Sequence, residues 1–304
     1  MMRIIIYHIF KIIDKSILQI FHERAIRITN ERITNDVSVH RAHEGSVEPP
    51  QPRLNSLVPG KVNGPMIVEH VAALNAKRII LASQSPRRRD ILTQLGLTNF
   101  EQRPSGFAED LDLALPPHKY AVETARHKAV DIWKQASQDR AGHLPDLVIA
   151  ADTIIVAEGR ILGKPKDADD AFAILSKLSG RTHQVITGVA LCYKPSKQIP
   201  ATCDSTAAAA AAGVLIQERE GFVCAEFANA TRVTFASLSK TEISAYITTG
   251  EPMDKAGGYG IQGVGGAFVE KIDGDYYTVM GFPLQAFART MKDHVLPHLL
   301  PGVM

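Results

Sequence analysis

The sequence predicts an α/β protein with a mixed sheet, and two kinds of signal carry that prediction. Apolar runs typical of buried strands occur at residues 79–82, 147–151 and 183–193, and segments with helical spacing separate them. Two turn signals, Glu158-Gly159 and Asp273-Gly274, lie between short strand-like segments and predict β-hairpins. The strands of a hairpin are antiparallel, whereas strands joined through a helix are usually parallel. The two signals together therefore predict a sheet with both parallel and antiparallel strands.

The composition is that of an ordinary globular chain. Of its 304 residues, 45% are hydrophobic and 22% are charged, and the net charge is +2. So small a net charge argues against bulk binding of nucleic acid. The three cysteines, Cys192, Cys203 and Cys224, have no metal-ligand spacing and indicate no disulfide framework. We therefore expect a protein of a reducing compartment.

Residues 1–75 differ from the rest of the chain, and we expect a poorly ordered extension and linker there, followed by one domain at 76–304. The apolar and basic start lacks the uninterrupted span of a transmembrane helix or a secretory signal. Asp14, Glu23 and Glu31 argue against a mitochondrial presequence, which is poor in acids. We expect a cytoplasmic protein, with mitochondrial targeting as the alternative.

The elements of the first half follow from local signals. A helix is predicted to begin after the first strand, because Ser85 is a suitable N-cap and Pro86 suits the first helical position. Residues 117–137 predict a helix, because five of them are spaced for one face: Ala121, Thr124, Ala125, Lys128 and Ala129. The other predicted elements are a loop at 103–112, a strand at 147–151 that ends at Asp152-Thr153, a hairpin of 154–156 with 160–162, and a helix at 167–178.

The second half is interpreted in the same way. An alanine-rich, low-complexity insertion at 195–220 interrupts the pattern in a surface connection. The predicted elements after strand 183–193 are a strand at 230–235, a helix at 239–248, a glycine-dense loop at 257–266, a hairpin of 268–272 with 276–279, and a last helix at 283–298.

Three arginines, Arg87, Arg88 and Arg89, fall in the first turn of the helix predicted after Ser85. The helix dipole disfavours cations there by roughly 0.3–1 kcal/mol each. A bound polyanion explains them, because phosphate oxygens accept hydrogen bonds from backbone N–H groups, hydroxyls and guanidinium groups. Ligands of α/β folds also collect at the carboxyl ends of strands. We predict a phosphate site without the P-loop pattern, formed by Ser83, Ser85, Arg87 and Arg88, with a solvated basic surface as the alternative.

Asp152 is the candidate catalytic residue, because a carboxylate that ends a buried strand has either a function or a role in capping the next turn. Glu109 and Asp254 are the other acids nearest the lysine and glycine loops. Carboxylates approach phosphates through a cation, and Mg²⁺ with one or two carboxylates is the usual solution. Lys164 and Lys255, beside rigid or glycine-rich backbone, are candidate phosphate ligands, with ordinary surface lysines as the alternative.

His183 begins a predicted strand, where a hydrogen-bonded structural histidine is favoured over a general base. Tyr259, Gly260 and Gln262 lie on the glycine-dense loop, from which a side chain can reach the edge of a base. Glutamine suits this task because it both donates and accepts hydrogen bonds. The alternative is that the glycines serve turn geometry alone.

Seven stretches form a set of motifs: LASQSPRRRDIL at 81–92, ADT at 151–153, GKPKD at 163–167, LSGRTH at 178–183, TGV at 187–189, GEPMDKAGGYGIQG at 250–263, and VMGFPL at 279–284. In this order, over about 77–292, they resemble the Maf family of nucleoside triphosphate pyrophosphatases. The first 75 residues and the insertion lie outside the resemblance.

The resemblance implies hydrolysis between the α and β phosphates of a nucleotide, which gives a monophosphate and pyrophosphate. It implies a twisted sheet in two lobes with a central nucleotide-binding cleft, and a homodimer. It also implies a divalent metal, Mg²⁺ or Mn²⁺, held by Asp152 and Glu109, with Asp152 accepting a proton from the attacking water or activating that water. Arg87, Thr153 and Gln262 would determine which nucleotide base is accepted. The motifs resemble those of the family branch that acts on dTTP and UTP.

Two departures from the family pattern bear on the metal. Ala108 stands where relatives often have an acid before Glu109, and Asn229-Ala230 stand where some have paired glutamates, which predicts weaker metal affinity. One alternative is a pyrophosphatase for 7-methyl-GTP or another modified nucleotide. Another is a non-catalytic regulator of cell division that binds nucleotide or nucleic acid, although such a protein would lack the catalytic acid and Asp152 is present. We expect no stable nucleic-acid complex and no membrane association.

Overall fold

The computed structural model describes residues 67–139, 144–196, 209–219 and 221–301. Most of the predicted extension, up to residue 66, and residues 197–208 and 220 of the predicted insertion lie outside these ranges. Cys203 lies outside them as well.

The folded body begins earlier than the predicted boundary at residue 75. A 3₁₀ turn at Val68–His70 and a short helix at Val71–Leu74 (α1) precede the first strand. Ile67 and Leu74 are completely buried in the main hydrophobic core. Because two apolar side chains of this segment belong to the core, residues 67–75 are part of the domain and not of a linker.

Eight strands of the described chain form one mixed sheet. Their bounds are β1 Ile79–Leu81, β2 Phe100–Gln102, β3 Leu147–Ala157, β4 Arg160–Leu162, β5 Thr182–Tyr193, β6 Leu215–Arg219, β7 Phe222–Phe235 and β8 Val269–Asp273. Hydrogen-bonded neighbours follow the order β2-β1-β3-β5-β7-β6, with β4 beside β3 and β8 beside β7. β1 is parallel to β2 and β3, and the other pairs are antiparallel. The predicted α/β class with a mixed sheet is confirmed.

Three long strands, β3, β5 and β7, run the length of the sheet and connect its two lobes. In the first lobe β1 pairs with residues 147–149 of β3, and β6 pairs with residues 222–226 of β7. In the second lobe β4 pairs with residues 155–157, and β8 pairs with residues 232–235. Separate hydrophobic clusters fill the two ends. The two-lobed sheet that the family resemblance implied is therefore present.

Helices cover both faces of the first lobe, because alternate strand residues face opposite sides. Leu81 and Ile149 pack with α2 and the C-terminal helices, whereas Ile80 and Val148 pack with α3. The helices after α1 are α2 Pro86–Gln94, α3 Pro117–Ser137, α4 Ala168–Leu178, α5 Lys240–Thr248, α6 Tyr276–Met280, α7 Leu284–Thr290 and α8 Leu296–Leu299, with a π-helical turn at Met291–Val295. Across the described ranges, no helix has the length and apolar character that a membrane span requires.

The predicted strand at 276–279 is wrong, because this segment forms α6. Asp275 accepts hydrogen bonds from the backbone N–H groups of Tyr277 and Thr278, each at 3.1 Å, and so caps the helix. The partner of β8 is β7 instead. The β propensity of this aromatic and β-branched run is overridden by its cap and its tertiary contacts.

Two strands extend beyond their predicted limits. β3 continues past residue 151 to Ala157, so Asp152 lies in the middle of a strand and not at its end. β7 begins at Phe222, and β6 uses residues 215–219, the end of the predicted insertion, to pair with it. β7 is longer than predicted because its first residues pair with β6, and the local sequence pattern did not indicate this pairing.

Cys192 and Cys224 form a disulfide, contrary to the expectation from the sequence. They lie directly opposite each other in the pairing of β5 with β7, with their Cα atoms 4.2 Å apart. Their separation of 32 residues follows no known spacing, so only the strand register brings them together. The cysteines therefore do not support the inference of a reducing compartment.

Candidate active site

A gap in the strand pairing along β3 creates a cleft between the lobes. β1 pairs with β3 as far as Ile149, and β4 pairs with it from Ile155. Between these points residues 150–154 pair with β5 on one side, while the described strands leave their other side open. Asp152 and Thr153 lie in this gap.

The cleft has a volume of about 680 Å³, within the range of pockets that hold small ligands. It brings together nine of the ten predicted site residues: Ser83, Ser85, Arg87, Arg88, Glu109, Asp152, Thr153, Lys164 and Lys255. Gln262 is exposed and is not among the lining residues. An apolar wall that includes Ile155, Leu162 and Ile261 completes the cleft.

The ammonium group of Lys128 joins two of these carboxylates. Its Nζ atom lies 2.8 Å from Oδ1 of Asp152 and 2.7 Å from Oε1 of Glu109. Lys128 and Asp152 are buried, whereas the Glu109 side chain is 44% exposed. Burying an unpaired ammonium is costly, so Lys128 needs these partners. The contact holds Asp152 and Glu109 on either side of one cation.

Lys128 belongs to the predicted face of the 117–137 helix, but it was not among the predicted site residues. The signal was available, because Lys128 continues the helical spacing of Ala121, Thr124 and Ala125, all completely buried. Lysine is almost never buried unless it is paired. A lysine on the inward face of an amphipathic helix therefore indicates an internal carboxylate.

Glu109 combines this charge pair with an unusual backbone. Partial burial favours its neutral form, but the hydrogen bond and charge of Lys128, aided by Lys164 and Arg88, outweigh burial and lower the pKa of Glu109. The carboxyl is therefore ionised at neutral pH. Its φ of 54° lies in the left-handed region, which glutamate rarely adopts. The Tyr120 hydroxyl donates to the Glu109 carbonyl at 3.2 Å and supports this conformation.

Arg88 is anchored within the cleft and is not part of a solvated basic surface. Its Nε donates to the carbonyl of Gly281 at 2.8 Å. Its Nη1 donates to Ser83 Oγ at 3.0 Å, and its Nη2 donates to Thr153 Oγ1 at 3.1 Å. Burial lowers the pKa of Arg88, and the charge of Asp152 opposes that effect. The three bonds fix the guanidinium group beside the carboxylates.

Thr153 supports Arg88 through a relay of hydroxyl groups. Thr187 donates to the carbonyl of Thr278 at 2.9 Å, so its oxygen accepts from the Thr153 hydroxyl at 3.0 Å. Thr153 in turn accepts from Arg88. Its hydroxyl proton is therefore used within the protein, and the residue connects the arginine to the sheet.

The two predicted lysines differ in their surroundings. Lys164 lines the cleft and is exposed. Lys255 donates to the carbonyl of Glu251 at 2.7 Å and to Oδ1 of Asp254 at 2.6 Å. Partial burial raises the pKa of Asp254, but the hydrogen bond and charge of Lys255 outweigh it and lower that pKa. Because Asp254 offsets the charge of Lys255, Lys164 offers the more available positive charge.

His183 has a structural role, as the sequence indicates. Its Nε2 atom lies 2.8 Å from the Tyr259 hydroxyl, and its ring packs edge-on against Phe235. Burial lowers the pKa of His183 to about 4, so the ring is neutral at neutral pH. It is not among the residues that line the cleft.

The turn that carries Gln262 is held by Glu251. The Gly263 N–H donates to the Gly260 carbonyl at 3.1 Å and closes the turn. The Glu251 carboxylate accepts from the Val264 N–H at 2.9 Å. These bonds fix the turn with Gln262 exposed, so the structure does not bring it into contact with the other predicted residues.

The family to which the chain belongs follows from its similarity to known proteins. The sequence model of the family described as Maf-like protein matches residues 78–294. The chain belongs to the Maf-like family. The match extends from the start of β1 into the C-terminal helices and includes every residue of the cleft. The resemblance predicted from the motifs is confirmed.

Curated relatives of this Maf-like chain include human and bacterial proteins. The Homo sapiens protein named "Probable bifunctional dTTP/UTP pyrophosphatase/methyltransferase protein" is 43% identical over 223 residues, which are 73% of this chain and 32% of the human protein. Two proteins named dTTP/UTP pyrophosphatase, from Anaeromyxobacter dehalogenans and Clostridium perfringens, are 44% and 38% identical. Each match covers 71% of this chain, and 94% and 97% of the bacterial proteins respectively. The chain thus spans about a third of the human relative and nearly all of the bacterial ones.

Proposed function

We propose that this Maf-like protein is a nucleoside triphosphate pyrophosphatase that converts dTTP, UTP or related, including modified, nucleotides to the monophosphate and pyrophosphate. The observation that carries the proposal is the meeting of Asp152 and Glu109 at Lys128, beside Arg88, in one cleft. Carboxylates next to anion-binding cations suit hydrolysis of a phosphoanhydride. The names of the human and bacterial relatives support the choice of base.

The cations of the cleft would bind the triphosphate. Arg88 has five N–H donors and uses three hydrogen bonds within the protein, so donors remain for phosphate oxygens. Ser85 is the N-cap of α2, yet its hydroxyl makes no capping hydrogen bond and is available to a ligand. Arg87 and Lys164 add positive charge to the lining. Together they would orient the α–β bridge toward Asp152.

Asp152 would act as the general base. It takes a proton from a water molecule as the water oxygen bonds to the α phosphorus. The bond from that phosphorus to the bridging oxygen breaks, and pyrophosphate leaves with the electron pair. Arg88 would stabilise the charge that develops on the phosphate oxygens. Lys128 holds the Asp152 carboxylate in one orientation through the 2.8 Å contact.

The donor set also fits a divalent cation. Oδ1 of Asp152 and Oε1 of Glu109 both contact Lys128 Nζ, so the two carboxylates already meet at one positive charge. Mg²⁺ is commonly bound by one or two carboxylates plus substrate phosphates. No group of three or more His, Cys, Asp or Glu residues suited to a metal occurs in the described part of the chain, so nucleotide and water oxygens would complete the shell. Mg²⁺ or Mn²⁺ held by Asp152 and Glu109 would neutralise phosphate charge.

Base choice is proposed to depend on Arg87, Thr153 and Gln262. Arg87 and Thr153 line the cleft, and Gln262 directly follows Ile261, which also lines it. The hydroxyl relay of Thr153 supports a role in placing Arg88 as well as in contacting the nucleotide.

The activity is tested by measuring pyrophosphate release over a panel of nucleoside triphosphates with Mg²⁺ and with Mn²⁺. We expect dTTP and UTP to be hydrolysed faster than purine triphosphates and 7-methyl-GTP, with equal amounts of monophosphate and pyrophosphate. A preference for 7-methyl-GTP would contradict the choice of base. Tight nucleotide binding without turnover would contradict the activity and favour a regulator.

We also propose a cytoplasmic homodimer that forms no stable complex with nucleic acid or membranes. The resemblance to the family supports the dimer, and the net charge of +2 supports the lack of nucleic-acid binding. Light scattering of the purified protein tests the dimer, and a monomer would contradict it. Gel-shift, vesicle-sedimentation and cell-imaging assays test the other statements, which a shifted band, co-sedimentation or an organellar signal would contradict.

A further inference from the structure

The loop between β2 and α3 is attached along α3 and is not free in solvent. Arg103, at the start of the loop, lies 3.0 Å from Asp139, near the C-terminal end of α3. Asp131 lies on α3, about two helical turns before Asp139. Its Oδ2 atom accepts hydrogen bonds from the Ser105 hydroxyl at 2.7 Å and from the Gly106 N–H at 2.9 Å. The Asp131 carboxylate thus binds two consecutive loop residues.

Further contacts attach the loop to α3 as far as the cleft. Phe107 stacks on His127 with ring centroids 4.7 Å apart and an angle of 8° between the planes. Glu109 contacts Lys128, and its carbonyl accepts from the Tyr120 hydroxyl. From Arg103 to Glu109 the contacts progress from Asp139 through Asp131 and His127 to Tyr120, so the loop runs antiparallel to α3.

Asp131 organises more of the loop than the two groups it contacts. Ser105 donates its hydroxyl proton to Asp131, and the same oxygen accepts from the Phe107 N–H at 3.0 Å. The hydroxyl is oriented for the Phe107 N–H because its proton is committed to the carboxylate. The bond from Asp131 therefore also orders the backbone at Phe107, two residues before Glu109.

Glu109 needs such external support. Its φ of 54° lies in the left-handed region, which is strained for glutamate and persists only where the surroundings determine it. Its side chain is 44% exposed, and ion pairs at exposed positions contribute little by themselves. The Lys128 contact alone is therefore a weak restraint on the position of Glu109.

The chain geometry indicates how much freedom Asp131 removes. With Gly106 fixed, Glu109 is three residues from an anchor and can range over at most about 10 Å. Without that bond, the nearest hydrogen-bonded anchor before Glu109 is Arg103, and the segment between them is six residues long and spans up to about 20 Å. Among the described residues, Glu109 itself then keeps only its contacts with Tyr120 and Lys128. Such freedom would allow Glu109 to leave Lys128 and Asp152.

We propose that Asp131 is a positioning residue that binds the loop at Ser105 and Gly106 and thereby places the Glu109 carboxylate beside Lys128 and Asp152. The inference rests on the proposed function of the cleft. Asp131 itself is not among the residues that line the cleft, so its effect on turnover passes through Glu109.

The first experiment compares Asp131→Ala, Asp131→Asn and a matched control, Asp90→Ala. Asp90 is an exposed carboxylate on α2 outside the cleft lining. We expect Asp131→Ala to lower kcat roughly 10- to 100-fold, as loss of a residue that orients a metal-site ligand does, with little change in KM or melting temperature. Asp131→Asn keeps an acceptor oxygen for both donors and should restore most of kcat. Wild-type kcat in Asp131→Ala would overturn the proposal.

The second experiment separates positioning from general destabilisation by repeating Asp131→Ala in a Glu109→Gln background. If Asp131 acts through Glu109, the double variant will have the kcat of Glu109→Gln alone. A further loss equal to that seen in the wild-type background would overturn the proposal.

The third experiment does not depend on turnover. Amide hydrogen exchange over residues 105–109 should rise in Asp131→Ala and stay low in Asp131→Asn and Asp90→Ala, and unchanged exchange in Asp131→Ala would overturn the proposal. If the wild-type protein releases no pyrophosphate from any nucleotide, the proposed function fails, while the exchange result still decides whether Asp131 holds the loop.

Discussion

Gly188 lies opposite Asp152 in the pairing of β5 with β3, and the backbone of α3 packs directly against its Cα atom. A Cβ atom at Gly188 would lie 2.3 Å from the carbonyl carbon of Ala121, closer than real Cβ contacts allow. Only glycine permits this approach of α3 to the sheet. Because α3 carries Lys128, the missing side chain allows the ammonium group to reach Asp152.

We therefore expect Gly188→Ala to destabilise the protein by about 1–3 kcal/mol or more through overpacking, and to lower turnover by shifting Lys128 away from Asp152. Urea unfolding and pyrophosphate release measure the two effects. Gly163→Ala is the stability control, because a Cβ there meets no atom within 4 Å. Wild-type stability in Gly188→Ala would show that α3 can move without cost.

Asp152→Asn is expected to lower turnover by at least about 100-fold while the protein stays folded. Asparagine keeps the shape of the side chain but can neither accept the proton nor supply charge to a metal. Turnover and the melting temperature are measured together, with Asp90→Asn as the matched control on an exposed helix position. Near wild-type turnover in a folded Asp152→Asn protein would exclude the proposed general base.

Arg88→Ala is expected to weaken the binding of all nucleoside triphosphates by a similar factor, about 10- to 100-fold, because a charge-assisted contact to phosphate is lost. Ser83 and Thr153 lose their shared partner in the same variant. Calorimetric titration with several nucleotides measures the loss. Arg89→Ala is the control, because Arg89 is exposed and outside the cleft lining. Equal affinities of Arg88→Ala and wild type would contradict a phosphate-binding role.

Two N-terminal truncations should differ sharply. A variant that begins at Met66 keeps the buried Ile67 and Leu74, so its activity and melting temperature should match the full chain. A variant that begins at Ala76 loses both side chains and should be less stable by at least about 2–5 kcal/mol. Thermal unfolding of the two proteins measures the difference. A low melting temperature for the longer variant would show that residues before Met66 stabilise the domain.

A buried acid outside the cleft predicts a pH dependence of stability. Glu226 on β7 is 1% exposed, and neither carboxylate oxygen has a hydrogen-bond partner among the described residues. Burial raises the pKa of Glu226 to about 7, although Arg126, at 3.9 Å, opposes the shift. The folded protein therefore binds more protons than the unfolded chain between about pH 4.5 and pH 7, and the contribution of Glu226 to stability is lost as the pH rises through that range.

Glu226→Gln removes this charge. We expect it to raise stability relative to wild type more at pH 8 than at pH 5, by a difference of up to about 3 kcal/mol. Urea unfolding at both pH values measures it, with Glu218→Gln as a control at an exposed position on the neighbouring strand. The same effect of Glu226→Gln at both pH values would mean that its carboxyl has an ordinary pKa.

The sequence by itself determined the features that depend on neighbouring residues. Pro86 takes the predicted first position of α2 directly after Ser85, and Glu158-Gly159 form the predicted turn between β3 and β4, both with positive φ. The motifs identified the family and nine of the ten residues that meet in the cleft. These signals are readable because caps, tight turns and phosphate-binding loops are built from residues close together in the chain.

Only the tertiary structure decided which distant groups meet. Strand register brought Cys192 to Cys224, and the approach of α3 at Gly188 brought Lys128 to Asp152. The turn that Glu251 fixes leaves Gln262 exposed and outside the cleft lining, although its motif predicted a site residue. Each outcome depends on packing between elements far apart in sequence, and such packing overrides the preference of any single segment, because burial and pairing are gained only when the whole sheet has formed.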